Sequence, residues 1–260
     1  MSSLRKELQS IGAIAFDLDG VLYEGHTPIP GALEAVAAVR AAGLLVRFVT
    51  NTTSLSRRLI ADKLVRFGFD AGANDVLCPA RAAAAWLLRE KATAALFVAD
   101  AALEDFNGVV PDEEQPDAVV IGDLESGWTF DVLNRAFRLA HRHGARLVGL
   151  GRTRYWKAPQ GLQLDVGPFL AALEQATGKT AIVFGKPEPA FFAALIDEVR
   201  LPADRIAMIG DDIVSDVGAA MDAGLIGVLV RTGKFRPSDL EGTIQPDLVI
   251  DSVVSLIGAV

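Results

Sequence analysis

The stretch AIAFDLDGVLYEG, residues 13–25, decides how the chain folds. Ala13 to Phe16 form an apolar run with no polar face, as expected of a strand buried on both sides. The run stops on two acids, Asp17 and Asp19. Side chains two apart on an extended backbone point the same way. Two carboxylates about 5 Å apart repel by about 3 kcal/mol at an effective dielectric of about 20. The strand calls for a covered parallel sheet, and the acidic pair at its end calls for an opposing charge.

Runs of the same kind recur along the chain: LLVRFVT (44–50), AALFVA (94–99), DAVVIGD (117–123), ARLVGL (145–150), AIVFG (181–185), RIAMIGD (205–211), LIGVLV (225–230) and DLVI (247–250). Between them lie helical patterns such as GALEAVAAVRAAG and TFDVLNRAFRLAHRHG, each ending at a glycine suited to a helix C-terminus. Strand alternating with helix predicts a Rossmann-like, doubly wound α/β fold with a parallel sheet covered on both faces. The strands divide better into two sheets than one. VVPDEEQPD (109–117) reads as a surface loop, and the polar residues that end strands cluster in the first and last thirds. The expected division is a catalytic core of residues 1–78 and 185–260 with an inserted, smaller α/β cap domain at 79–184.

Composition narrows the function. The chain has 260 residues, is 51% apolar and only 22% charged, so a sizeable core can be buried and disorder is disfavoured. A formal charge of -8 argues against a surface that coats nucleic acid, while a small anionic substrate is compatible with a local cationic pocket. Cys78, the single cysteine, has no internal disulfide partner and reads as a small buried apolar residue in a reducing compartment. The N-terminus lacks the apolar segment of a signal peptide, and no apolar run reaches the length of a membrane span, so the expected location is the cytoplasm.

In open parallel sheets, ligands bind at the carboxyl edge of the strands. Asp17 and Asp19 end the first strand here, Thr50-Asn51-Thr52-Thr53 the second, Lys186-Pro187 follows AIVFG, and Asp211, Asp212 and then Asp216 follow RIAMIG. Asp17, Asp19 and Asp211 are hard oxygen ligands suited to Mg²⁺, which keeps several waters and accepts phosphate oxygens. Thr50 and nearby backbone N–H groups can hold a phosphate, and Lys186 supplies a point charge to the same anion. One carboxylate of the leading pair can attack phosphorus while the other protonates the leaving oxygen and later activates water.

The order FDLDG, VTNTT, GKPEP and IGDDIVSDVGAAMDAG resembles the four motifs of the haloacid dehalogenase-like hydrolases, over nearly the whole chain. The resemblance implies that Asp17 is the nucleophile and Asp19 the acid/base. It places Thr50 and Asn51 on phosphate, Lys186 as charge stabiliser and Asp211 as a side-chain metal ligand. Asp19 would ligate through its backbone carbonyl, and Asp216 would support the metal shell through water. GVLYEGHTPIPGA is similar to the family's squiggle and flap, and the insertion falls where C2 caps sit. TNTT and GKPEP resemble the NagD-like subfamily IIA, but an Asn-Pro-Asp-like element usual after the cap strand corresponding to ARLVGL is missing. RYWK…GLQLDVGPF is instead similar to a branch of inorganic pyrophosphate and phosphoamide phosphatases. Association through the cap is common in this subfamily, so the resemblance also implies a homodimer.

Other residues are weighed against plainer readings. Asp212 is either a metal contact or a helix cap, and His26 lies near the flap. His141 and His143 flank Arg142 at a helix end, where cations suit the dipole. Arg152, Arg154, Tyr155, Trp156 and Lys157 form the densest cationic and aromatic cluster, expected as a cap loop in which Arg154 or Tyr155 reaches substrate. The expected activity is Mg²⁺-dependent hydrolysis of a small phosphorylated compound. The alternatives are a phosphomutase, a non-enzymatic phospho-acceptor resembling a response-regulator receiver, and a binding protein that uses the fold without turnover.

Overall fold

The structure is a computed structural model and describes residues 8, 10–142, 144–158 and 160–256. The chain divides into two compact units, Met1–Thr50 with Ile60–Leu77 and Phe192–Val260, and Asn51–Leu59 with Cys78–Phe191. In chain order the elements begin with β1 (Ala13–Phe16), the short pair β2 (Tyr23–Glu24) and β3 (Thr27–Pro28), α1 (Ala32–Ala41), β4 (Leu45–Val49), α2 (Arg57–Arg66) and β5 (Val76–Leu77). There follow α3 (Pro79–Glu90), β6 (Ala94–Phe97), β7 (Ala118–Ile121), α4 (Phe130–His141), β8 (Arg146–Gly149), β9 (Tyr155–Ala158), β10 (Gly161–Leu164), α5 (Val166–Thr177) and β11 (Ile182–Val183). The chain then forms α6 (Pro189–Val199), β12 (Ile206–Gly210), α7 (Ala219–Asp222), β13 (Ile226–Val230) and β14 (Leu248–Ile250).

The first unit holds a six-stranded sheet in the order β14-β13-β12-β1-β4-β5, parallel throughout. Every residue of β1 and β12 is buried, which explains their unbroken apolar sequence. The chain winds away from β1 through β4 to one side and through β12 to the other. β1 therefore sits at the reversal of strand order, where such sheets bind ligands.

The second unit has its own parallel sheet, β11-β8-β7-β6. Its core joins Val119, Ile121 and Leu147 to Leu170 and Leu173 of α5, and Phe97, Trp128 and Phe169 stack in sequence beside it. Residues 51–59 are tied into this unit by Asp105. Its carboxylate accepts the Arg57 backbone N–H at 2.8 Å and the Cys78 thiol at 3.3 Å, and it pairs with the Arg57 guanidinium at 3.4 Å. Cys78 is buried as expected; burial, together with the Asp105 charge, pushes its thiol up and keeps it protonated.

All nine expected strands are present, and the α/β class is as read. Three features were not read as strands: β5, the β2–β3 pair and the β9–β10 hairpin. The hairpin replaces the expected open loop at Tyr155, and only the preceding stretch up to Arg154 is irregular. Among the described residues, no helix is long and apolar enough to cross a membrane.

Candidate active site

β1 and β12 are hydrogen-bonded neighbours, so the residues that follow them emerge side by side. The Asp17 N–H donates to the Ile209 carbonyl at 2.9 Å, continuing the ladder to the sheet edge. Asp211 follows β12 directly. Asp216 returns to the same place through a π-helical turn, in which the Val217 N–H reaches back to the Asp212 carbonyl at 3.2 Å. One carboxylate oxygen from each of Asp17, Asp211 and Asp216 lies within 4.8 Å of the others, and all three residues are buried.

Glycines make the room for this crowding. A Cβ on Gly210 would stand 2.2 Å from the Asp216 Cβ, and one on Gly233 would stand 2.0 Å from Asp211 Oδ2. Asp211 Oδ2 accepts the Lys234 backbone N–H at 2.7 Å, Asp216 Oδ2 accepts the Asp212 N–H at 3.2 Å, and the Thr232 hydroxyl donates to the Gly20 carbonyl. The two backbone bonds orient the carboxylates but leave like charges together, at a cost of about 3 kcal/mol per pair at an effective dielectric of about 20. A buried set of hard anionic oxygens is what a small divalent cation requires, so the residues present fit Mg²⁺.

The segment Arg231-Thr232-Gly233-Lys234 after β13 was not singled out from sequence, although it too ends a core strand. The Lys234 ammonium lies 3.7 Å from Asp212. Burial alone would lower its pKa, but the charges of Asp211, Asp212, Asp216 and Asp17 outweigh that and raise it, so it is a standing counter-charge. Asp212 is a cap: its Oδ1 accepts the N–H groups of Val214 and Ser215 at 3.0 and 2.9 Å. Against the burial that opposes it, these bonds and Lys234 hold the Asp212 carboxyl below the usual range.

Asp19 differs from Asp17. Its side chain is exposed and outside the cluster, and its Oδ1 accepts the Gly25 N–H at 3.3 Å from the turn between β2 and β3. His26 is exposed on that turn. Thr50 is buried at the end of β4, beside β1, with its N–H on the Leu77 carbonyl at 3.2 Å.

In the second unit Asn51 and Lys186 hold each other. The Asn51 amide donates to the Lys186 carbonyl at 2.8 Å, and the Lys186 N–H donates to Asn51 Oδ1 at 2.7 Å. Asn51 thus braces the lysine backbone with groups that were expected on phosphate. Arg152 makes a bidentate pair with Glu174 at 2.8 and 2.9 Å and a further pair with Glu188 at 3.3 Å. Arg154 and Tyr155 are exposed at the start of the hairpin. His141 stacks on Phe137 at the end of α4, and His143 lies outside the described residues.

A doubly wound core with an inserted α/β unit and buried acids after β1 and β12 defines a hydrolase of the haloacid dehalogenase type. A haloacid dehalogenase-like hydrolase family model matches residues 14–109, and a second model of the same kind matches 183–256. The human haloacid dehalogenase-like hydrolase domain-containing protein 2 is 40% identical over 238 residues, 92% of this chain and 91% of that one. The human phospholysine phosphohistidine inorganic pyrophosphate phosphatase is 40% identical over 244 residues, 92% and 90% of the two chains. The crystal structure of a glycerol phosphate phosphatase from Mycobacterium tuberculosis in complex with magnesium is 28% identical, with a TM-score of 0.84, and covers 98% of this chain and 79% of that one. The chain belongs to the haloacid dehalogenase-like hydrolases and is a phosphatase of that family.

Proposed function

We propose that the chain is a Mg²⁺-dependent phosphatase of small phosphorylated compounds that works through a phosphorylated Asp17. The observation that carries this reading is the buried trio Asp17, Asp211 and Asp216, within 4.8 Å of one another. Asp17 and Asp211 would hold the ion, helped by the Asp19 carbonyl, with Asp216 supporting them. When bound, Mg²⁺ offsets the crowded charge and lets an anionic phosphoryl group approach an anionic nucleophile.

The Asp17 carboxylate attacks phosphorus, forming the aspartyl O–P bond as the bond to the leaving oxygen breaks. Asp19, whose carboxyl is outside the cluster, gives its proton to that oxygen. It then takes a proton from the water that cleaves the aspartyl phosphate and releases inorganic phosphate. Thr50 orients phosphoryl oxygens at the end of β4. Lys186 stabilises their charge, and Asn51 keeps the Lys186 backbone in place. The inserted unit acts as the cap, with Arg154 and Tyr155 as its substrate contacts, and the protein works as a cytoplasmic homodimer joined through that unit. Pyrophosphate or a phosphoamide is the favoured substrate, on the similarity to the human pyrophosphate phosphatase and the shared cap pattern.

The test is phosphate release from pyrophosphate, a phosphoamide, sugar phosphates, nucleotides, phosphoglycolate and pyridoxal phosphate, with Mg²⁺ and with EDTA. Turnover that disappears with EDTA, and is greatest on pyrophosphate or the phosphoamide, is the expected result. Folded, Mg²⁺-loaded protein that releases phosphate from none of them overturns the reading.

A further inference from the structure

Lys63 of α2 and Phe67 just beyond it have no part in the four motifs, yet both close on one side chain of the flap. The Tyr23 ring, only 5% exposed, lies 5.0 Å from the Phe67 ring, tilted at 58°. The Lys63 Nζ stands 4.2 Å from the Tyr23 centroid and 5.6 Å from that of Phe67. A cation and a tilted aromatic ring thus pack against one buried tyrosine.

Tyr23 is also where the flap meets the catalytic loop. Its carbonyl accepts the Gly20 N–H at 2.7 Å, its backbone bridges to Asp19, and it opens β2 opposite Pro28 of β3. The turn closing that pair returns the Gly25 N–H to Asp19 Oδ1 at 3.3 Å. A two-stranded ribbon with two residues per strand has little stability of its own. The exposed bond at its tip is equally weak. The anchored ring adds a side-chain hold to the backbone bonds that the Tyr23 N–H makes to the Leu18 carbonyl and the Ile29 N–H to the Leu22 carbonyl.

We propose that Lys63 and Phe67 clamp the Tyr23 ring and thereby position the Asp19 carboxyl, making Lys63 a positioning residue of the reaction. The inference rests on the reading of Asp19 as acid/base. It has electrostatic support: burial holds the Lys63 ammonium below its ordinary range while the Asp19 charge pulls the other way, which places the two in one field. Burial first, and then the charges of Asp19 and Asp17, push the Tyr23 phenol up, so the ring is held in its neutral form.

The experiment compares wild type, Lys63→Met and Lys63→Arg in two measurements. The first is kcat/KM on glycerol phosphate, whose alkoxide needs a proton to leave, and on p-nitrophenyl phosphate, whose phenolate does not. Lys63→Met should lower the first about tenfold and the second less than about threefold, and Lys63→Arg should restore both to within about twofold. The second is hydrogen exchange of the amides of residues 21–28, which should quicken in Lys63→Met and not in Lys63→Arg. Equal losses on both substrates, no loss, or unchanged flap exchange would each overturn the clamp. Wild type inert on both with Mg²⁺ would exclude these two compounds as substrates without touching the phosphatase mechanism, and the exchange measurement then decides the clamp.

Discussion

At the carboxyl edge of the six-stranded sheet, Asp17, Asp211 and Asp216 bring three oxygens within 4.8 Å. Near the same edge of the four-stranded sheet, Asp123 follows β7 and Asp165 precedes α5, and these acids are arranged differently. Asp123 accepts the Glu125 N–H at 2.8 Å and Asp165 the Val166 N–H at 2.7 Å. Both sheets are parallel, both have buried apolar strands and both end in polar residues. In the inserted unit each carboxylate caps its own turn. In the first unit, glycines at 20, 210 and 233 leave room for carboxylates to crowd together. A shared architecture does not make a shared site; the difference is whether each acid only caps its own turn or also crowds against acids from elsewhere in the chain.

Replacing Asp17 with Asn separates the two edges most sharply. Loss of the nucleophile should lower kcat for phosphate release by about a thousandfold or more. It should also make the metal-free protein more heat-stable, because one of the crowded charges is gone. Loss of activity with an unchanged melting temperature would mean that the crowding is not costly, which weakens the contrast drawn above.

Gly233→Ala tests the room that the glycines provide. The new Cβ would stand 2.0 Å from Asp211 Oδ2 and 2.6 Å from the Gly20 Cα, at a φ of +62°. The expected outcome is a loss of about 1–3 kcal/mol in unfolding free energy. A fall in kcat of about a hundredfold should accompany it, read by denaturant titration and by steady-state assay.

In the inserted unit the effects should be small. Burial raises the Asp165 carboxyl, with the Asp123 charge adding to it and the Val166 N–H opposing it. The folded state therefore binds a proton more tightly than the unfolded chain. Its contribution is fully present below the ordinary carboxylate range and is lost as pH rises through the raised value. Asp165→Asn should flatten that fall in stability from about pH 4 upward, measured by urea unfolding across pH. Smallest of all, Asp123→Asn should leave kcat within about twofold. A large loss there would make the second edge part of the chemistry and break the comparison.

Much of this was legible in the residues. The nine apolar runs marked their strands, most clearly β1, β7 and β12, which are buried throughout and therefore continuously apolar. FDLDG and IGDD marked the acidic edge because parallel neighbours present the residues that follow them together. Less was legible where pairing is short or depends on a distant partner. Val76–Leu77 is too brief to show a period, and the β9–β10 hairpin carries exposed Tyr155, Leu162 and Leu164 where a cap loop was expected. Asn51 was expected on phosphate, but its amide faces the backbone of Lys186, 135 residues away. Thr232, Gly233 and Lys234 escaped notice, although they too follow a core strand, because their local sequence does not show that they meet Asp211 and Gly20.

The succession of strands along the chain, the acids that end them and the family to which the chain belongs were determined by local sequence, since period, polarity and motif order are properties of the chain alone. The tertiary structure decided which acids share a charge cluster, which cap turns, and which glycines stand aside for them. Those outcomes depend on distances between residues up to about two hundred positions apart, such as the contact of Gly20 and Gly233 with one carboxylate. No local pattern encodes such a distance; it exists only once the sheet has brought its edges together.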